Sequence, residues 1–134
     1  MNILFFLTPK IDVAYVYDCH TIRQALEKME FHRYSSIPII NKYGKYIGTL
    51  TKGDLLWSLK NDFSLNLKSL EDIPITAIIR KKDNSPVSIE TDIENLISKS
   101  MHQNFIPVID DDNTFIGIIK RGDIINYCYE KIIS

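Results

Sequence analysis

Two stretches of the sequence decide the fold, because the second repeats the first. The first reads Ser36-Ile37-Pro38-Ile39-Ile40-Asn41 and, after a short turn, Tyr46-Ile47-Gly48-Thr49-Leu50-Thr51-Lys52-Gly53-Asp54-Leu55. The second reads Phe105-Ile106-Pro107-Val108-Ile109-Asp110 and then Phe115-Ile116-Gly117-Ile118-Ile119-Lys120-Arg121-Gly122-Asp123-Ile124. The proline, both glycines and the aspartate recur at a constant offset of 69 positions. A repeat at a fixed offset indicates two copies of one structural unit.

Each copy also carries a helical pattern upstream of this stretch. The positions that keep an i, i+3, i+4, i+7 spacing are Ile22, Ala25, Leu26 and Met29 in the first copy, and Ile93, Leu96, Ile97 and Ser100 in the second. Thr21 and Asp92 precede them and are good N-caps. The sequence therefore predicts helices over about 22–31 and 93–102.

The remaining pattern predicts short buried strands. In the first copy they cover about 13–16, 37–40 and 46–50, and in the second about 87–89, 106–109 and 115–119. A last helix should start near Gly53 and near Gly122. Between the copies, a bridge over about 61–72 carries Leu65, Leu67 and Leu70, and a short helix is expected within 75–80.

Each copy thus reads β-α-β-β-α, and the fold class is α/β in the loose sense (α+β). The repeat places the first unit at residues 1–61 and the second at 62–134. About 65 residues bury too little surface to be stable alone. We therefore expect the two units to pack through their sheets with pseudo-two-fold symmetry and to form one module.

The composition limits the possible functions. Of the 134 residues 45% are hydrophobic and 25% are charged, and the formal net charge is −1, which argues against disorder and against a nucleic-acid or membrane coat. Cys19 and Cys128 match no zinc spacing, and the three histidines are scattered, so no metal site is expected. No apolar run approaches the ~20 residues of a membrane span. We expect a cytoplasmic protein.

The doubled motif resembles a known family. A strand with hydrophobe-Pro-hydrophobe, a turn, and then Gly-x-hydrophobe-Thr-x-x-Asp leading into a helix is similar to the CBS domain, named for cystathionine β-synthase. The resemblance runs from about Ile11 to Ile125 and is that of a tandem, stand-alone pair, a Bateman-type module. It implies a regulatory, non-catalytic module whose ligand is AMP, ADP, ATP or a related adenylyl compound, with no catalytic cofactor.

The resemblance also implies which residues bind the nucleotide. Asp54 and Asp123 would take the ribose hydroxyls, and Thr51 would meet phosphate where the second copy has Lys120. The adenine would lie against the proline-containing strand and the entry to the first strand. The first predicted site comprises Ile11, Val13, Ala14, Ser36, Ile37, Pro38, Thr51, Lys52 and Asp54. The second comprises Ser85, Pro86, Val87, Phe105, Ile106, Pro107, Lys120, Arg121 and Asp123.

Structural roles compete with this interpretation. Thr51 and Asp54 also fit a capping box, in which threonine caps the helix and an acidic residue occupies its third position. Lys120 and Arg121 could gather phosphate or form solvated surface. The run over 80–82 could reach a phosphate too, but a solvated loop is favoured. On these grounds the second site has more positive charge, and the first has the intact motif.

Other function classes fit the sequence less well than a nucleotide sensor does. The sequence shows no nucleophile–base pair, metal set or Walker-type glycine loop, so no enzyme is predicted. Trp57 and Leu56 lie on a broad apolar helix face that could pack in the core or contact another subunit. We expect a homodimer that acts on an unknown effector protein. The alternative is a structural dimerisation module with an empty cleft.

Overall fold

The structure is a computed structural model that describes residues 2–61 and 69–133. It divides into two compact units. Unit I is Ala14–Asp83, and unit II combines Met1–Val13 with Asn84–Ser134. The strands are β1 (Leu7–Pro9), β2 (Val16–Tyr17), β3 (Ser36–Ile40), β4 (Tyr46–Thr51), β5 (Val87–Ser88), β6 (Phe105–Ile109) and β7 (Phe115–Lys120). The α-helices are α1 (Ile22–His32), α2 (Lys52–Asn61), α3 (Ile93–Ser100) and α4 (Arg121–Ile133).

The two sheets share one pattern. In unit I the strand order is β2-β3-β4, with β2 parallel and β4 antiparallel to β3. In unit II the order is β1-β7-β6-β5, with the same parallel and antiparallel pairs and β1 added at the edge, antiparallel to β7. The β-α-β-β-α order predicted for each copy is confirmed.

The strand register repeats as closely as the sequence does. Ile39 lies opposite Gly48 in unit I, and Val108 lies opposite Gly117 in unit II. Both pairs of strands shift register one residue later, after Ile39 and after Val108. Because a register slip of one residue would turn every side chain to the other face, the shared register confirms that the repeat is structural.

The predicted helix caps are confirmed. The Thr21 side chain accepts from the Gln24 N–H at 3.2 Å, and Gln24 Oε1 accepts from the Thr21 N–H at 2.9 Å, which completes a capping box. Asp92 accepts from the Asn95 N–H at 2.8 Å. Helix α3 ends at Ser100, two residues earlier than predicted. The short helix expected within 75–80 is a 3-10 turn over Ile75–Ala77.

Each unit has its own core of buried side chains. In unit I these include Val16, Ile22, Met29, Ile37 and Leu50. In unit II they include Ile3, Leu96, Ile106, Val108 and Ile119. None of the described helices has the length and apolar character needed to cross a membrane.

The compact units differ from the sequence division at 61/62. Residues 1–13 belong to unit II, because β1 pairs with β7 and Ile3 is buried in that core. The segment from Leu70 to Asp83 belongs to unit I, where Leu70 and Ile75 are buried. The division at 61/62 stays a prediction about the repeat, and the predicted bridge leucines Leu65 and Leu67 lie outside the described residues.

Candidate functional site

The candidate site is built on the junction of β4 and α2, where the chain passes from strand to helix at Thr51. The Thr51 hydroxyl accepts from the Asp54 N–H at 2.9 Å, so Thr51 caps the helix as one of the two interpretations predicted. The Asp54 carboxylate turns to another segment, and its Oδ1 accepts from the Lys81 N–H at 3.1 Å. The two residues of the motif therefore have separate tasks.

Asp54 is a buried carboxylate with one oxygen unpaired. The residue is only 7% exposed. Its Oδ2 is out of contact with solvent and has no hydrogen-bond partner among residues 2–61 and 69–133. An unsatisfied buried polar atom costs about 1–3 kcal/mol, and more when it is charged. Such a group in a folded protein calls for an explanation, and a bound ligand is one that would satisfy it, so we take Asp54 as the centre of the candidate site.

A cavity of about 670 Å³ adjoins Asp54. Its size is typical of small-molecule sites. The described residues that line it all belong to unit I: Thr51, Gly53, Asp54, Trp57, Ile79, Lys81 and Lys82. The lining therefore combines one carboxylate, a helix N-terminus, two ammonium groups and two large apolar side chains.

The loop over 80–83 is attached to β4 next to this cavity. The Thr49 N–H donates to Asp83 Oδ1 at 2.9 Å, and Arg80 Nε donates to the same oxygen at 2.8 Å. Burial raises the pKa of Asp83, but the hydrogen bonds from Arg80 and Thr49 and the charge of Arg80 outweigh it, and the pKa lies below its ordinary value. Asp83 is therefore held as a carboxylate beside β4.

Tyr46 lies on the same strand. Its hydroxyl is 2.7 Å from the Thr49 hydroxyl. Burial raises the pKa of Tyr46 far above its ordinary value, although the Thr49 hydroxyl opposes the shift. The phenol therefore stays neutral in the physiological range.

The second copy of the motif has different surroundings. Lys120 and Asp123 are exposed. Arg121 donates from Nε to the Gln103 carbonyl at 3.0 Å, and its backbone N–H donates to the Asn104 carbonyl at 3.1 Å. Arg121 thus fastens the start of α4 to the chain before β6, which is a structural task.

The structure places the predicted apolar site residues mainly in the cores. The buried members are Val13, Ala14, Ile37, Pro38, Val87, Phe105, Ile106 and Pro107. None of these buried residues is among the described residues that line the cavity.

Most of the remaining members of the predicted sites lie outside the cavity lining. Ile11 is 92% exposed and belongs to unit II, as Val13 does, whereas Thr51 and Asp54 belong to unit I. Ser36, Lys52 and Pro86 are half-buried. Ser85 is exposed, and its N–H donates to Gln103 Oε1 at 2.7 Å. Of the first predicted site, the cavity brings together Thr51 and Asp54 alone among the described residues.

Sequence reasoning left out of the predicted site a segment that lines the cavity. Lys81 and Lys82, for which a solvated loop was favoured, are exposed and yet line the cavity beside Asp54. The intact first motif therefore has positive charge of its own, and the expectation that the second site has more stays a prediction. The sequence did contain an indication of this. Asp83 follows Asp12 by 71 positions, the same offset that separates Asp92 from Thr21, so the segment around Asp83 corresponds to the predicted site segment around Asp12 in the first copy.

Comparison with known proteins agrees with the doubled motif and its geometry. The CBS-domain family model matches residues 9–61 and 70–130. The chain belongs to the CBS-domain family. Most of its length is therefore a tandem CBS pair, as the sequence predicted.

Solved structures and a curated relative are similar to this CBS pair. The crystal structure of CbpB in complex with c-di-AMP has a TM-score of 0.87 and 25% identity, over 97% of this chain and 85% of that one. The crystal structure of CBSX2 in complex with AMP has a TM-score of 0.77 and 20% identity, over 96% of each chain, and shows the fold alone. L-aspartate semialdehyde sulfurtransferase of Methanocaldococcus jannaschii is 26% identical over 106 residues, 78% of this chain. The CBS pair spans only 19–47% of the length of four such archaeal relatives.

Proposed function

We propose that this CBS pair is a regulatory module that binds an adenosine nucleotide in the Asp54 cavity. The ligand class is AMP, ADP, ATP or a related adenylyl compound such as cyclic di-AMP. The observation that carries the proposal is the unpaired, buried Oδ2 of Asp54 beside a cavity that also contains Lys81 and Lys82. The c-di-AMP bound by the similar CbpB supports the same ligand class.

The lining of the cavity suits the parts of a nucleotide. A carboxylate accepts hydrogen bonds from two vicinal ribose hydroxyls. The N-terminus of α2 and the two lysines favour phosphate. Trp57 and Ile79 offer apolar surface to a base. Because Asp54 Oδ2 is out of contact with solvent, a ligand hydroxyl reaches it only when neighbouring groups shift.

The test is calorimetry with AMP, ADP, ATP and cyclic di-AMP on the parent and on Asp54→Asn. The substitution keeps the shape and an oxygen that can accept from the Lys81 N–H, but it removes the charge. Charge-assisted hydrogen bonds contribute about 1.5–3 kcal/mol each, so affinity should fall roughly tenfold or more. The ligand-free melting temperature should stay close to that of the parent.

A matched control is Asp92→Asn. This is the same chemical change at the start of a helix in unit II, and asparagine caps a helix as well as aspartate does. It should alter neither binding nor melting temperature. If Asp54→Asn binds every one of the four nucleotides as tightly as the parent, the site assignment is wrong.

The second predicted site, around Asp123, stays a proposal of its own. Asp123→Asn should weaken binding only if a nucleotide also occupies that end of the chain. Calorimetric stoichiometry separates the two cases: two sites per chain should become one in Asp123→Asn, and a single site should be unaffected by it.

The proposed output is non-catalytic. The module would change its affinity for an effector protein when nucleotide binds, within the cytoplasm, where such ligands are made. The family membership supports this, since in the sequence no catalytic set accompanies the nucleotide motif. Pull-down of partners with and without nucleotide should show a ligand-dependent set, whereas nucleotide turnover by the purified chain would contradict the proposal.

The exposed apolar side chains of α2 support a homodimer. Leu56 is 68% exposed and Trp57 is 57% exposed. The same observation favours the alternative, a structural dimerisation module with an empty cleft. Sedimentation with and without nucleotide, combined with a thermal-shift screen, decides between them. A dimer that no nucleotide stabilises would be the structural module, since ligand at 100 times its Kd adds about 2.7 kcal/mol.

A further inference from the structure

Arg80 lies next to Asp54 in the fold but is paired with a different carboxylate. The Lys81 N–H is 3.1 Å from Asp54 Oδ1, so the backbone of the preceding residue, Arg80, adjoins the same carboxylate. Its guanidinium nevertheless donates to Asp83, from Nε to Oδ1 at 2.8 Å and from Nη2 to Oδ2 at 3.3 Å. The Arg80 guanidinium is thus paired with Asp83 rather than with Asp54.

Asp83 is itself held in place by β4. Its Oδ1 accepts from the Thr49 N–H at 2.9 Å. It can approach the strand this closely because Gly48 has no side chain. A Cβ on Gly48 would lie 2.5 Å from Asp83 Oδ1 and 2.7 Å from its Cγ. The strand therefore fixes Asp83, and Asp83 fixes Arg80.

We propose that Asp83 is a positioning residue for the Asp54 site. By holding Arg80 on the edge of β4, it prevents this guanidinium from pairing with Asp54 and keeps Asp54 Oδ2 without a competing ion pair. The part of the inference that concerns affinity rests on the proposed nucleotide function. The part that concerns which carboxylate pairs with Arg80 is independent of that function and can be tested on the ligand-free protein.

The physical reason is competition for one acceptor. A guanidinium forms bidentate pairs with carboxylates and would occupy the oxygens that ribose hydroxyls need. A ligand would then have to displace Arg80 before binding. The pKa of Arg80 is raised mainly by its hydrogen bond to Asp83, against a lowering by burial, and the negative charge of Asp54 adds to the rise. The Arg80 guanidinium therefore interacts electrostatically with both carboxylates.

The first experiment measures AMP affinity in Asp83→Asn. The amide oxygen can still accept from the Thr49 N–H, but the charge that holds Arg80 is gone. We expect Kd for AMP to rise about fivefold. Adding Arg80→Leu to Asp83→Asn should restore Kd to within about twofold of the Arg80→Leu single variant, because the competitor has been removed. Loss of a simple anchor would not be rescued in this way.

A matched control is Glu27→Gln. It breaks an exposed ion pair in the same unit, between Arg23 Nε and Glu27 Oε1 at 3.0 Å, with the same carboxylate-to-amide change. Neither residue is among the described residues that line the cavity. AMP affinity should remain that of the parent.

The second experiment needs no ligand. In the parent, Asp54→Asn should leave the melting temperature unchanged, because the amide oxygen of the new side chain still accepts from the Lys81 N–H. In the Asp83→Asn background Arg80 pairs with Asp54, so removing that charge should lower the melting temperature by about 2–4 °C.

The outcomes separate the two proposals. Parent-like AMP affinity in Asp83→Asn, or failure of Arg80→Leu to rescue it, overturns the role of Asp83 while leaving the nucleotide site intact. If the parent binds none of the four nucleotides, the proposed function fails. In that case the melting temperatures still decide. If Asp54→Asn changes the melting temperature by the same amount in the parent and in the Asp83→Asn variant, the positioning role is overturned as well.

Discussion

The two copies of the motif have the same register and opposite surroundings. Asp54 is 7% exposed and bonded to the Lys81 N–H, whereas Asp123, its counterpart 69 positions later, is exposed. Gly48 lies under the carboxylate of Asp83, and Gly117 lies under the backbone of β1. One unit therefore has a polar loop beside its last strand, and the other has a fourth strand.

The segment beside the last strand thus differs between the two units, and with it the groups that surround each copy of the motif. Strand β1 pairs with the edge of β7 through backbone hydrogen bonds and ends at Pro9, opposite Gly117. At β4, the Asp83 side chain, which is paired with Arg80, accepts from the Thr49 N–H. The same loop places Lys81 and Lys82 in the lining of the cavity. The same motif is thus next to a charged cavity in one unit and lies at an exposed helix start in the other. Substitutions at matched positions of the two units test that contrast.

The largest effect is expected at the two glycines. Gly117→Ala would drive a Cβ into the Thr8 carbonyl oxygen and to 2.9 Å from Leu7 Cδ1, so β1 would have to move, and the φ of 155° at Gly117 adds backbone strain; we expect a cost of about 3 kcal/mol. Gly48→Ala meets only the Asp83 side chain, which can turn away, so we expect about 1 kcal/mol. Urea denaturation of both variants measures the difference. Equal costs would contradict the contrast between the two neighbours.

A smaller effect is expected at the helix starts. Thr51→Ala removes the hydroxyl that accepts from the Asp54 N–H and should cost about 1 kcal/mol in the ligand-free protein. Lys120→Ala changes an exposed side chain at the corresponding position and should stay within about 0.5 kcal/mol of the parent. Thermal denaturation of the two variants is the measurement. A cost for Lys120→Ala that matches the cost for Thr51→Ala would contradict the assignment of a helix cap to Thr51 and of an exposed surface position to Lys120.

The lysines should differ in ligand selectivity. Lys82→Ala removes a cation from the cavity lining and should weaken ATP by about two- to fivefold, and AMP less. Lys120→Ala should weaken ligands with more phosphates only if the second end of the chain also binds nucleotide. Calorimetry with AMP and ATP compares them. Uniform weakening of both ligands by Lys82→Ala would show that Lys82 contacts no phosphate beyond the one that AMP and ATP share.

The smallest effect concerns pH. The folded pKa of Asp83 is lowered, so its ion pair stabilises the protein above the unfolded value of about 4, and this stabilisation is lost as the pH falls through the folded pKa. The pair is 21% and 38% exposed, so we expect about 0.5 kcal/mol or less. Melting temperatures measured from about pH 6 to about pH 2.5 should converge between parent and Asp83→Asn at the acid end. A constant difference would contradict the assignment.

Much of the fold could be predicted from the repeat because local rules are sufficient for it. Thr21 and Asp92 cap their helices as predicted, and Pro38 and Pro107 lie on paired strands at the same register. The ends of elements were less predictable. The first strand of copy one, predicted at 13–16, is β2 (Val16–Tyr17), because these are the two residues that pair with Ile39 and Ile40 of β3.

The sequence by itself determined the family, the two copies and the motif residues Thr51 and Asp54, because spacing and periodicity are properties of the chain alone. Only the tertiary structure decided which segment lies beside each motif. A loop 27 residues away gives Asp54 its backbone donor, and no local pattern specifies such a pairing. Burial and partners depend on distant backbone, and they made one aspartate a buried, half-satisfied acceptor and the other a solvated one.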